Sequence, residues 1–184
     1  MIEKVIGYLR REVRNNLGVS DAEVTIGSVH TLRDDNHLRG VYISLVNIEE
    51  DYTARSTPHF GRQDGTTRTE DPPISLNLYL LFSFDFEDYE VSLARLSSTI
   101  EFFQSKPIFT AGNASPTNAF PSTLERLTLE IHNLNLEQLN HMWGMFGGSY
   151  LPSVLYRIRL SQVPRDASTE TPAVTSAEAE TGPR

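Results

Sequence analysis

Residues 74–84, ISLNLYLLFSF, alternate: Ile74, Leu76, Leu78, Leu80, Phe82 and Phe84 share one parity, and Ser75, Asn77, Tyr79, Leu81 and Ser83 the other. A period of two sets these groups on opposite faces of a β-strand. The first face is apolar throughout and needs cover. The second mixes polar and apolar groups and is compatible with a thin layer, water or another chain. The pattern predicts a strand near the middle of a sheet.

The same reading extends along the chain. Ile2, Val5, Ile6, Leu9, Val13 and Leu17 recur at helical spacing with Arg10, Arg11, Glu12 and Arg14 between them, and Gly18 follows where a helix would stop. Val24–Val29 predicts a short strand, and GVYISLVNIEE from Gly40 a firmer one, with Val41, Ile43 and Leu45 set against Tyr42, Ser44 and Val46. Asp88 is placed to cap a helix running to about Gln104, with Val91, Leu96, Ile100 and Phe103 as its buried stripe, supported by Leu93 and Phe102. LERLTLEIH at 124–132 alternates as a strand. Asn135 with Gln138 forms a capping-box pattern that opens a short helix carrying Leu136, Leu139, Met142, Trp143 and Phe146 on one side, ended by Gly147 and Gly148. SVLYRIRLSQV supplies the last strand, with Val154, Tyr156, Ile158 and Leu160 opposite Leu155, Arg157, Arg159 and Ser161.

Three stretches lack periodicity: 49–73, 109–122 and 164–184. The first is long for a connection inside a compact domain, which marks it as functional or disordered. The last is rich in Ala, Thr, Ser, Pro and Glu without an aromatic, and predicts a disordered tail. The expected architecture is α+β: one domain over 1–163, a mixed sheet of about five strands packed by three helices, the long loop 49–73, and a tail at 164–184. Leu78, Leu80, Phe82, Ile100, Phe103, Leu129, Trp143 and Tyr156 are the candidate core.

Composition narrows the chemistry. The 184 residues include no cysteine, which removes disulfides, thiolate nucleophiles and cysteine-ligated metals. The formal charge is −8, the only lysines are Lys4 and Lys106, and clustered cations for phosphate neutralisation are missing, so nucleic acid is not expected as a partner. No segment approaches the roughly 20 apolar residues of a membrane span, and the charged start does not resemble a signal peptide. His30, His37 and His59 lie in polar loops, while His132 and His141 flank the capping-box turn; none belongs to a metal motif. Asp34, Asp35 and His37 fit an ordinary polar turn. No glycine-rich phosphate loop or serine elbow occurs. Catalytic, metal and cofactor sites are therefore not expected. The competing expectation is a ligand-binding or enzymatic α+β domain using 49–73 and 109–122 as a lid.

Taken in order, PPISLNLYLLFSF from Pro72, an acidic turn with a long helix, LERLTLEI, and LNLEQLNHMWGMFGGSYLPSVLYRIRL resemble the tube-terminator or cap proteins of extracellular contractile injection systems. The most specific portion runs from Leu136 and Leu139 through Met142-Trp143 to Tyr150, Pro152-Ser153-Val154 and Tyr156-Arg157. The resemblance covers roughly 1–163. Phe82-Ser83 departs from the Thr-Ala pair usual after that strand. The resemblance implies a structural protein akin to phage tail terminators: a homohexameric ring that caps stacked tube hexamers where the sheath also ends, with no substrate or cofactor. The protein would be made in the cytoplasm and then carried on an assembled particle, with tube protein, sheath protein and its own copies as partners. A baseplate or tube-initiating role in the same particle is the neighbouring alternative. Phe60, Arg62, Asn77, Tyr79, Tyr150, Arg157 and Arg159 are the interface candidates, with loop 49–73 reaching toward a neighbour.

Overall fold

The computed structural model describes residues 1–28, 39–51, 60–63, 66–69, 75–162 and 169–171. Helix α1 (Ile2–Leu17) places Val5, Ile6, Tyr8, Leu9, Val13 and Leu17 inward and ends at Gly18, whose φ of 62° is a left-handed position that suits glycine. Arg95 donates to the Leu17 carbonyl at 2.7 Å, so an otherwise open helix end is satisfied from a neighbouring element. Strand β1 (Val24–Ile26) runs parallel to the start of β2 (Gly40–Glu50). Strands β3 (Phe60–Gln63) and β4 (Thr66–Thr69) form an antiparallel hairpin. Next come β5 (Leu76–Asp85), α2 (Tyr89–Ser105), β6 (Ile108–Phe109), β7 (Leu124–Ile131), α3 (Leu136–Met145), β8 (Ser153–Gln162) and β9 (Thr169–Thr171).

The main sheet has six strands in the order β1-β2-β5-β8-β7-β6. Every pairing in it except β1–β2 is antiparallel. β5 lies between β2 and β8, the central place its alternation predicts. Its first face, with Leu78, Leu80, Phe82 and Phe84, joins Val41 and Ile43 of β2 and Val154, Tyr156, Ile158 and Leu160 of β8 in one core under α1 and α2. Leu129 and Phe103 are buried in the same core, and Ile100 is half-buried against it. Phe82, Phe103 and Tyr156 meet as tilted or edge-on rings with centroids 5.0–5.8 Å apart. Burying side chains of this size contributes roughly 1.5–3 kcal/mol each, an upper figure set against a fully exposed chain.

Several expectations change. The 49–73 stretch contains the β3–β4 hairpin, and within 164–184 the strand β9 pairs with β4, giving a second, three-stranded sheet. Residues 52–59, 64–65, 70–74, 163–168 and 172–184 lie outside the described residues, as does Val29. The 109–122 stretch is preceded by β6 and contains a short 3₁₀ turn, Ala111–Asn113. On α2, Val91 and Leu93 are exposed, while Ser92 and Thr99 point inward. The Phe86 N–H donates to Ser92 Oγ at 3.0 Å and Thr99 Oγ1 donates to the Arg95 carbonyl at 2.9 Å, so these small hydroxyls enter the interior already satisfied. Leu136 is 84% exposed although its helix is amphipathic. On β2 a register shift between Leu45 and Asn47 breaks the alternation, and Leu45 lies outside the core.

Candidate functional site

Asn135 caps α3 by accepting from the Gln138 N–H at 2.8 Å, and the Gln138 side chain accepts from the Asn135 N–H at 3.0 Å. The helix so started lies over the second face of the sheet. Met142 and Trp143 pack with Tyr42, Tyr79, Leu81 and Leu155, and Leu151 closes the cluster. Trp143 is thus a core residue of a second, smaller hydrophobic layer. The mixed face of β5 therefore divides by position. Leu81 and its neighbours are roofed by α3, and of the polar remainder Tyr79 and Arg157 are satisfied laterally, strand to strand.

That remainder forms two rows. Asn47, Tyr79, Arg157 and Glu130 lie abreast across β2, β5, β8 and β7, followed by Glu49, Asn77, Arg159 and Thr128. Tyr79 donates its hydroxyl proton to Glu49 Oε2 at 2.8 Å and meets the His132 ring edge-on at 4.9 Å. Arg157 pairs with Glu130, and Arg159 pairs with the buried Asp51 at 3.0 Å. Burial first, then the Glu49 carboxylate, raises the Tyr79 phenol above its ordinary value. The hydrogen bond from Arg157 holds the Glu130 carboxyl below the usual carboxylate range. Arg157, Glu130 and Arg159 are substantially exposed, so these pairs organise the face more than they stabilise it. The Asn77 Oδ1 atom is buried without a hydrogen-bond partner among the described residues.

Asn77, Tyr79, Arg157 and Arg159 are accordingly brought together, but three of them are occupied by partners in their own chain instead of presenting free groups. Tyr150 is separate: it is exposed, beyond the end of α3, with its ring 5.5 Å from that of Trp143. Phe60 and Arg62 lie in β3, opposite Thr69 and Thr67 of β4.

One polar cluster has no signal in the periodicity. Glu12, on the side of α1 expected to face water, is buried. Its carboxylate accepts from Asn118 Nδ2 at 2.7 Å and Lys106 Nζ at 3.1 Å, while Asn118 Oδ1 accepts from Arg11 Nε at 2.6 Å. The cluster ties the 110–122 segment to α1. Two concavities flank these elements. One, of about 170 Å³, lies beside α3 between Leu139, Met142, His132 and Ser153. The other, of about 360 Å³, lies between α1, β1 and residues 119–121. Neither collects the convergent set of buried polar groups of a small-molecule site. Among the described residues no group of three His, Asp or Glu is placed to hold a metal ion. Asp34, Asp35 and the histidines His30, His37 and His59 lie outside the described residues.

Two solved structures share this fold. One is described as the sheath/tube terminator of PVC, an extracellular contractile injection system, in the extended state. It matches with a TM-score of 0.63 and 15% identity, over 100% of this chain and 64% of that one. The other is described as the tube-terminating cap of the anti-feeding prophage AFP, with a TM-score of 0.62 and 14% identity, over 96% of this chain and 60% of that one. This chain thus spans about three fifths of the length of the solved chains it matches. No curated protein matches it. The family described as the Pvc16 N-terminal domain matches residues 4–176, beyond the 1–163 body and into the expected tail. The chain belongs to the Pvc16 N-terminal domain family.

Proposed function

We propose that this chain ends the growth of the inner tube of a contractile injection particle, as a ring of six copies at which the sheath also stops. The observation that carries the reading is the fold shared along nearly the whole chain with two proteins described as terminators of such particles. A tube built from stacked rings has an open end with unpaired surface. A ring offering a tube-like face on one side only removes that surface and halts addition. Closing such a ring uses heterologous contacts, in which two different patches meet once per subunit.

The role is structural, with the tube protein, the sheath protein and further copies as partners, and with no cofactor or nucleic acid. No helix among the described residues is long and apolar enough to cross a membrane. Tyr150 and the exposed sides of Arg157 and Arg159 remain available to partners. Phe60 and Arg62, with the rest of 49–73, would reach a neighbouring subunit. The body at 1–163 would carry these contacts without the tail.

Light scattering of the purified chain, alone and with tube protein, tests the reading together with labelling of assembled particles. Six-membered rings that bind tube, and label at the distal end, are expected. A persistent monomer without affinity for tube overturns it, and label at the proximal end replaces it with a baseplate or initiating role.

A further inference from the structure

Charge on the helical layer is polarised. Helix α1 carries Lys4, Arg10, Arg11 and Arg14 in a chain whose formal charge is −8. Arg10 and Arg14 are committed to Asp21, at 2.7 and 2.9 Å. Lys4 has no ion-pair partner among the described residues, and Arg11 uses only its Nε, on Asn118. These two cations border the 360 Å³ groove, with the exposed Ile26, Ala119 and Pro121 as its apolar wall, Gly7 as the gap in α1, and Glu3 as a counter-charge. A cleft with an apolar wall and a cationic rim suits an aromatic side chain flanked by carboxylates.

The chain presents such a knob elsewhere on its own surface. Tyr89, at the first turn of α2, is 61% exposed and is surrounded in sequence by the exposed Glu87, Asp88 and Glu90. Asp88 makes no side-chain capping bond, and none of the four side chains has a hydrogen-bond or ion-pair partner among the described residues. Leu93, one turn on, is also exposed and extends the apolar centre of this patch.

The two patches lie at opposite ends of the layer. Glu12 bonds Lys106, Asn16 donates to the Ser98 carbonyl at 3.3 Å, and Leu17 accepts from Arg95, so α1 and α2 run antiparallel. At 1.5 Å per residue, Gly7 to Leu17 and Arg95 to Tyr89 together place groove and knob about 24 Å apart. A patch pair that is complementary in charge and widely separated cannot be satisfied within one molecule. It suits a second copy placed head to tail.

We propose that the groove between α1, β1 and residues 119–121 receives the Glu87–Glu90 turn of a second copy, with Tyr89 entering between Lys4 and Arg11. The inference rests on the self-assembly reading above and names a surface for it. Repeated in one sense, the contact is heterologous and closes into a ring when the rotation permits. Its charges set orientation and reject a head-to-head encounter.

Charge reversal tests it. One variant, Lys4→Glu, reverses one cation of the groove beside Glu3 while leaving the gap at Gly7 open and Arg11 on Asn118. The other, Glu87→Lys with Glu90→Lys, makes the knob basic. All three positions are exposed, and none contributes to the core. Each variant alone opposes like charges and is expected to associate about a hundredfold more weakly than the native chain. An equimolar mixture juxtaposes opposite charges at every contact and is expected to recover the native mass by light scattering. Either variant assembling alone as the native chain does, or a mixture that stays dissociated, overturns this surface while leaving self-assembly standing. A native chain that stays monomeric even with tube protein overturns both.

Discussion

Replacing Asn118 with alanine isolates the polar cluster that fastens the 110–122 segment to α1. Asn118 is 1% exposed; its Nδ2 donates to Glu12 Oε1 at 2.7 Å and to the Tyr8 carbonyl at 3.2 Å, and its Oδ1 accepts from Arg11 Nε. Glu12 is 5% exposed, and the substitution removes its shorter hydrogen bond and leaves Lys106, at 3.1 Å, on its carboxylate. A hydrogen bond to a charged group is worth about 1.5–3 kcal/mol, and a buried acceptor left without a donor costs about 1–3 kcal/mol. Arg11 is exposed, so water replaces its lost partner and that bond adds little. The Glu12 side therefore sets the loss, at about 3 kcal/mol. At roughly 2–4 °C per kcal/mol for a domain of this size, Tm should fall by about 6–12 °C, with a matching loss in urea unfolding. A double-mutant cycle with Glu12→Gln supplies the decisive arm. In the neutral background the same alanine should cost at least about 1 kcal/mol less, because no buried charge is left short of donors. A loss below about 1 kcal/mol for Asn118→Ala, or an equal loss in both backgrounds, would refute the claim that Asn118 serves a buried carboxylate.

Three further outcomes follow from particular contacts. A Cβ at Gly40 would lie 2.1 Å from the Glu23 carbonyl oxygen, which is backbone and cannot rotate away. Gly40→Ala should cost about 3 kcal/mol in urea unfolding by forcing β1 off β2, and a change under about 0.5 kcal/mol would contradict that close approach. Trp143→Ala removes the centre of the layer under α3 and should cost about 3–5 kcal/mol. Amide exchange should then quicken in α3 before the central strands, and uniform quickening would show that the two layers do not unfold separately. Tyr156 is buried with a hydroxyl that has no partner among the described residues, and burial pushes its pKa from 10.0 up to about 12. Since the folded value is the higher one, this contribution is intact below pH 10 and is lost as pH rises toward 12. The loss is roughly 2–3 kcal/mol at its full extent. Tyr156→Phe should be near neutral at pH 7 and should unfold less readily in alkali, though Tyr8, also raised by burial, keeps part of the dependence. An unchanged alkaline midpoint would count against it.

Strand faces were legible in the sequence because a period of two reports them directly: Leu78, Leu80 and Phe82 on β5, and Tyr156 and Ile158 on β8, share one core. The partner of each face was not legible. Leu81 and Tyr79 belong to the mixed face, and the apolar side of α3 is visible in Leu139, Met142 and Trp143. Periodicity shows that each surface needs cover, without showing that they cover one another. Counting apolar residues also fails where polar groups are satisfied locally. Ser92 and Thr99 are buried because their hydroxyls bond backbone of their own helix or the turn before it, and Glu12 because Asn118 and Lys106 approach from more than 90 residues away. β6 is missed for another reason, since two residues cannot display a period.

The surface inferred for assembly was hidden for a related reason. A catalytic site gathers unusual residues whose spacing can be recognised, whereas an assembly surface uses ordinary ones and is defined by what remains unpaired after folding. Arg10, Arg11 and Arg14 look alike along α1, yet Asp21 consumes two of them and Asn118 only the Nε of the third. Arg157 and Arg159 look like an open basic stripe on β8, yet Glu130 and Asp51 lie against them. The cation at Lys4 and the acids around Tyr89, which have no side-chain partner among the described residues, emerge only when these internal pairs are subtracted. Their opposite placement depends in turn on the antiparallel packing of α1 on α2, fixed by Arg95 on Leu17 and Asn16 on Ser98. The same packing that shields the first face of the sheet thereby gives the helical layer a basic end and an acidic end, which is the asymmetry a head-to-tail ring requires.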